Sequence, residues 1–162
     1  MPLIMAGPPY AKASERQAVP SLKLRKINMI VVDTNILTHF WLPSDHTELC
    51  EQLFQWDPEW VAPVLWKSEF RNVVILYMRK NLIGLPEAIQ LTEKAENQMK
   101  EREFHVNSVQ VYGLAENSDC SSYDCEFISL AEELDIKLIT TDKQILRSFP
   151  DRCAKPLDVI NS

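Results

Sequence analysis

No C-x-x-C pair connects Cys50, Cys120, Cys125 and Cys153, and no cluster of histidines stands near any of them. That spacing excludes the usual zinc arrangements, and with no disulfide framework to read it fits a reduced, intracellular and therefore cytoplasmic protein. Also missing is any apolar run of membrane-spanning length, so no membrane association is expected. The apolar stretch from Pro2 to Gly7 has no basic residue ahead of it and is too short for a secretory core. The chain lacks a surplus of basic charge as well: 17 Lys and Arg stand against 23 Asp and Glu, a formal net charge of -6. This excludes a protein that coats nucleic acid by charge alone. It does not exclude an enzyme acting on nucleic acid, because carboxylates gathered at one site and neutralised by divalent cations lose much of that deficit locally.

What is present fits one globular domain. The 162 residues, 46% hydrophobic and 25% charged, provide a sizeable core and room for one active site. Residues 1–28 differ from the rest: Pro2, Pro8, Pro9 and Pro20 break any periodicity, and Lys12, Arg16, Lys23, Arg25 and Lys26 make the segment basic. They are expected to form an extension outside the core, with the folded domain spanning 29–162.

The organising stretch is Met29-Ile30-Val31-Val32-Asp33-Thr34-Asn35. A short β-branched run of this kind reads as a buried strand, and Asp33 falls at its carboxyl end, where open α/β sheets hold their ligands. An Asp at such a junction also serves as a helix cap, so both roles stay open. Ile36, Leu37, Phe40 and Trp41 then recur at helical spacing. Asp45 and Glu48 have the form of a capping box for a second helix, and Trp60 to Pro63 reads as a second strand. The spacing predicts a long helix over Val64 to Lys80, with Glu69 and Asn72 in a polar notch beside an apolar stripe. A solvated Glu69 paired with a nearby base is the plain alternative; placement after the second strand, over the same sheet edge as Asp33, favours a role in a site.

Further on, Pro86 to Arg102 reads as a charged packing helix, Phe104 to Val106 as a short strand and Val109 to Glu116 as a helix. Ser121 or Ser122 caps the next helix, which puts Asp124 in its first turn, where the helix dipole favours a carboxylate whatever its function. Asp135 to Asp142 repeats the device of the first strand, ending in Thr140-Thr141-Asp142. Gln144 to Phe149 reads as a short helix, and Leu157 to Ile160 as a last edge strand. Short apolar runs alternating with helices predict an α/β fold, a three-layer sandwich with a mostly parallel central sheet.

Four short motifs in this order, V-D-T-N at Asp33, S-E-F-R-N at Glu69, S-x-Y-D at Asp124 and T-T-D at Asp142, resemble the PIN-domain nucleases, particularly the VapC-type toxins of toxin–antitoxin pairs. The resemblance covers Met29 to the C-terminus. It implies that Asp33, Glu69, Asp124 and Asp142 are the catalytic, metal-binding acids, that Asn35, Asn72 and Thr141 support them, and that the protein is an endoribonuclease. It also implies a homodimer checked by a cognate antitoxin. Phe70, Cys125 and the N-terminal extension depart from the family pattern. The donor chemistry agrees: oxygen ligands without His or Cys select Mg²⁺ or Mn²⁺, and such ions activate water and stabilise charge in phosphodiester hydrolysis. Lys67, Arg71 and Lys143 stand beside these acids as candidates for contacts to the RNA backbone. Two other classes compete. A phosphatase or receiver domain would use Asp33 as phosphoacceptor, but Asn35 occupies the place where the dehalogenase-type pattern needs a second Asp. A non-catalytic interaction module would have no need of four acids in register.

Overall fold

The computed structural model describes residues 29–162, so the basic extension expected over 1–28 lies outside the described residues. Strand β1 (Ile30–Val32) is wholly buried and forms the centre of a sheet with β2 (Trp60–Pro63), β3 (Glu103–Phe104), β4 (Leu138–Ile139) and β5 (Cys153–Ala154). Their order is β3-β2-β1-β4-β5 and every pairing is parallel. Strands buried on both faces need no alternation, which is why Ile-Val-Val and Trp-Val-Ala read as continuous apolar runs.

The helices α1 (Thr34–Trp41) and α2 (Thr47–Trp56) link β1 to β2, and α3 (Trp66–Arg79) and α4 (Leu85–Gln98) link β2 to β3. The chain then returns through α5 (Ser108–Glu116) and α6 (Ser122–Glu133) to β4, on the other side of β1, and α7 (Lys143–Ser148) leads to β5. Parallel crossovers are right-handed, so reversing the direction of strand addition moves the later helices to the opposite face. The result is the expected three-layer sandwich. Its strand order reverses between β1 and β4, and the crevice of such a sheet opens at the carboxyl ends of these two strands.

Packing fixes the layers. Helix α6 buries more residues than any other helix among the described residues, with Cys125, Phe127, Ile128, Leu130 and Ala131 all nearly inaccessible and set against β1, β2 and β4. Its end is a Schellman motif: Ile136 N donates to Ala131 O and Asp135 N to Glu132 O, with Asp135 at φ 51°. This turn aims the chain into β4. The aromatic residues of the early helices and of β2 pack into or against the core. Trp60 and Trp66 are fully buried, and Phe40, Phe54 and Trp60 form a cluster with ring centroids 5.2–5.3 Å apart, Trp60 meeting the other two edge to face.

Two sequence expectations are corrected. The edge strand is Cys153–Ala154, whereas Leu157 to Ile160 belongs to helix α8 (Pro156–Ile160), which packs on α2. Pro156 at the first helical position has its φ preset for a helix and its missing N–H costs nothing there. The second helix begins at Thr47 with His46 at the cap position and no side-chain cap, so Asp45 and Glu48 form no capping box. The turn before α2 is instead held by Ser44 and Thr47, Ser44 N donating to Thr47 Oγ1 at 3.2 Å.

Candidate active site

Asp33 follows β1 directly and is only 8% exposed. It occupies the cap position of α1 yet makes no side-chain capping bond. Its Oδ2 instead accepts from Thr140 Oγ1 at 2.6 Å and from Asn35 Nδ2 at 3.0 Å. The β1–β4 register explains the first contact: Val32 pairs with Ile139, so Asp33 stands beside Thr140 at the strand ends. Burial pushes the Asp33 carboxyl up to about 6; the charges of Glu69 and Asp124 add to this, and the bond from Thr140 opposes it.

Glu69 lies in the first turn of α3, and its Oε2 accepts from Thr34 Oγ1 at 2.5 Å. Its carboxyl is raised by burial, with the charges of Asp124 and Glu126 acting in the same direction. Asp124 sits at the third position of α6 in a complete capping box: Ser121 Oγ accepts from Asp124 N at 3.1 Å, and Asp124 Oδ2 accepts from Ser121 N at 3.0 Å. Ser121 is thus the cap and Asp124 stands in the first turn of α6 as expected, and its charge makes Asp33 and Glu69 harder to ionise. Asp142 caps α7, its Oδ1 accepting from Gln144 N at 2.7 Å and Ile145 N at 3.0 Å.

All four acids line one cleft of about 660 Å³, together with Asn35 and Asn72. Sequence reasoning missed Thr34, Ser68 and Tyr123, which line it too. Thr141 does not line it and makes no side-chain hydrogen bond among the described residues; its neighbour Thr140 is the threonine that donates to Asp33. Lys67, Arg71 and Lys143 do not line the cleft. Lys67 pairs with Glu103 at 3.0 Å and Arg71 with Glu96 at 3.2 Å, while Lys143 has no ion pair among the described residues. A larger groove of about 720 Å³ opens at the amino ends of the strands, but its acids are Asp135, paired with Arg152 at 3.1 Å, and Asp158. The converging charge is at the switch point.

Among the described residues, no three side chains of His, Cys, Asp or Glu converge closely enough to enclose an ion as they stand. The reason is visible in the capping bonds, since Asp124 and Asp142 each hold their own helix end. The donor chemistry nevertheless fits a hard divalent cation: four carboxylate groups share one cleft, and burial and mutual repulsion make two of them harder to ionise without one. Mg²⁺ keeps several waters and needs only one or two direct carboxylates, so carboxylates spread about a cleft suit it better than a tight cage.

Fold and cleft together define an α/β domain with an acid-lined crevice at the reversal of its strand order. The sequence profile of the PIN domain matches residues 30–149, and the chain belongs to the PIN-domain family. It is 25% identical over 124 residues to Ribonuclease VapC3 of Pyrobaculum aerophilum, covering 75% of this chain and 95% of that relative. The crystal structure of PAE2754 from the same organism superposes with a TM-score of 0.62 at 15% identity, covering 82% of this chain and 94% of the other. FitAcB from Neisseria gonorrhoeae gives a TM-score of 0.64 at 15% identity, over 80% and 99% of the two chains. At that identity the two structures establish the fold, and the VapC-type resemblance of the motifs stands with the family match.

Proposed function

We propose that this chain is a divalent-metal-dependent endoribonuclease of the VapC type. The observation that carries the reading is the convergence of Asp33, Glu69, Asp124 and Asp142 on one cleft at the carboxyl ends of β1 and β4. The ribonuclease name of a 25%-identical relative spanning nearly its whole length supports the choice of RNA.

In this reading Asp33, Glu69, Asp124 and Asp142 hold Mg²⁺ or Mn²⁺. When bound, the ion supplies Lewis-acid activation of water and charge neutralisation at the scissile phosphate. Thr34 and Thr140 orient the Glu69 and Asp33 carboxylates by donating their hydroxyl protons to them. Asn35 adds a second donor to Asp33, and Asn72 offers an amide to the bound RNA. Lys143, exposed at the start of α7, contacts backbone phosphate, with Lys67 and Arg71 available to do so where RNA competes with their ion pairs. Tyr123, 59% exposed at the cleft beside Asp124, presents an aromatic face on which an unpaired base stacks. Single-stranded or loop RNA is therefore the substrate class, since a duplex offers no splayed base and this acidic chain has little basic surface to grip it.

The test is cleavage of a loop-containing RNA by purified protein. Activity is expected to vanish with EDTA, return with Mg²⁺ or Mn²⁺ and weaken steeply with monovalent salt. Cleavage untouched by EDTA would remove the metal from the reading, equal cutting of duplex DNA at matched salt would remove the RNA, and absence of any cleavage would favour a binding module.

The partners belong to the same reading: a cytoplasmic homodimer inhibited by a cognate antitoxin whose Arg or Lys enters the acid cleft. A guanidinium pairs bidentately with carboxylates, so an open acidic groove is a natural receptor for it. Light scattering at micromolar concentration is expected to give the dimer mass, and an Arg-containing peptide from the antitoxin's C-terminal arm to suppress cleavage. A monomer mass would overturn the dimer and an inert peptide the mode of inhibition.

A further inference from the structure

The acids at the ends of β1 and β4 are linked through a single buried hydroxyl. Thr140 is fully buried, and its Oγ1 stands within hydrogen-bond distance of three groups. It donates to Asp33 Oδ2 at 2.6 Å, accepts from Asp142 N at 2.9 Å and accepts from Asn35 Nδ2 at 3.3 Å. A threonine hydroxyl has one proton and two acceptor sites, so these contacts use its entire capacity and leave it one orientation. Asp33 cannot donate while ionised, and Asp142 N has only a proton to offer. The hydroxyl is thus the one group here able to face both.

Asn35 reinforces the arrangement. Its Nδ2 donates to both Asp33 Oδ2 and Thr140 Oγ1, and its Oδ1 is buried without a partner among the described residues. Turning the amide over would set Oδ1 against the Asp33 carboxylate, so the amide stays in the orientation that serves Asp33 and leaves its own oxygen unsatisfied. A buried orphan acceptor costs stability. It persists because the node formed by Asp33, Asn35 and Thr140 fixes the orientation of all three.

We propose that Thr140 is the positioning residue of the site: its hydroxyl sets the orientation of Asp33 and ties the Asp142 segment to it, so that the two strand-end acids act as one unit. The proposal rests on the nuclease reading for its consequence, but the linkage is testable without it. Thr140→Val removes the donor and both acceptors at nearly constant volume, Thr140→Ser keeps the hydroxyl, and Thr141→Val changes the adjacent threonine, which makes no such contacts. In the metal-free protein the Asp142 amide is expected to exchange with deuterium at least about 10-fold faster in Thr140→Val and to be nearly unchanged in Thr140→Ser and Thr141→Val, because an amide that loses its acceptor loses protection. Mn²⁺ affinity, read from the spin-resonance signal of free Mn²⁺, is expected to fall about 10- to 100-fold in Thr140→Val, the usual effect of removing a partner that orients a ligand, and to be retained in Thr140→Ser. Thr140→Ala carries the same reading should the valine variant fold poorly. Wild-type exchange or wild-type Mn²⁺ affinity in Thr140→Val would overturn the proposal, as would an equal loss in Thr141→Val. If the unaltered protein neither binds Mn²⁺ nor cleaves RNA, the nuclease reading fails while amide exchange still decides the linkage.

Discussion

Asp33→Asn protein is expected to fold, to lose RNA cleavage by at least about 100-fold, and to melt at a higher temperature than the unaltered protein when both are metal-free at neutral pH. The activity loss follows from removing the charge at the most buried acid of the cleft; even partners that merely orient a metal ligand are worth about 10- to 100-fold, so a ligand is worth at least the upper end. The stability gain follows from the Asp33 carboxyl standing at about 6 in place of 3.8. At neutral pH an ionised, buried Asp33 costs the folded state up to about 3 kcal/mol, because each tenfold displacement of a proton equilibrium corresponds to about 1.4 kcal/mol. The Asn carbonyl can still accept from Thr140 and Asn35, but the side-chain amide loses the acceptor capacity of the second carboxylate oxygen. That loss offsets part of the gain and leaves a rise of about 1 kcal/mol, or a few degrees. Scanning calorimetry and a cleavage assay on the same preparation decide it. Undiminished cleavage would remove Asp33 from the site, and a lowered melting temperature would count against a crowded acid cluster.

The acids themselves were legible from the chain because each stands at a junction that sequence marks well. Asp33 and Asp142 end apolar runs, and Asp124 sits three residues after a serine cap. What sequence could not supply was the register between strands distant in the chain. Thr140 and Thr141 are adjacent and chemically identical, and only the pairing of Val32 with Ile139 decides which one faces Asp33. The same holds for Thr34, whose partner Glu69 is 35 residues away. Lys67 and Arg71 read as candidates for contacts to the RNA backbone beside Glu69, yet each is met by an acid from the β2–β3 crossover or the strand that follows it: Glu103 for Lys67 and Glu96 for Arg71. At the C-terminus, Leu-Asp-Val-Ile satisfies a strand pattern as well as a helix, and Pro156 at the first turn was the signal that separated them. Local chemistry was readable; long-range pairing was not.

The second large effect is an inverted dependence of stability on pH, which a divalent cation is expected to reverse. Between about 3.8 and 6 the folded protein keeps a proton on Asp33 that the unfolded chain has lost. The unfolded state then binds fewer protons than the folded one, so the free energy of unfolding falls as pH rises; the contribution is complete below the unfolded value and gone above the folded one. Burial raises Glu69 and Glu126 as well, and both act with the same sign. His39 opposes them, since burial lowers it and its stabilising window opens as pH rises toward 6.5, but it is only half-buried and solvent screens its effect. The metal-free protein should therefore lose stability on going from pH 5 to pH 7.5. Bound Mg²⁺ or Mn²⁺ needs the ionised carboxylates, so its stabilisation grows over the same interval as the competing proton leaves. At 100 times the dissociation constant a ligand that binds only the folded state adds about 2.7 kcal/mol, several degrees in a domain of this size. Melting curves at pH 5 and pH 7.5, with and without Mg²⁺, should show a shift that is small at the lower pH, large at the higher, and absent at both in Asp33→Asn. A cation shift of equal size at the two pH values, or one that survives in Asp33→Asn, would place the ion somewhere other than the acid cleft.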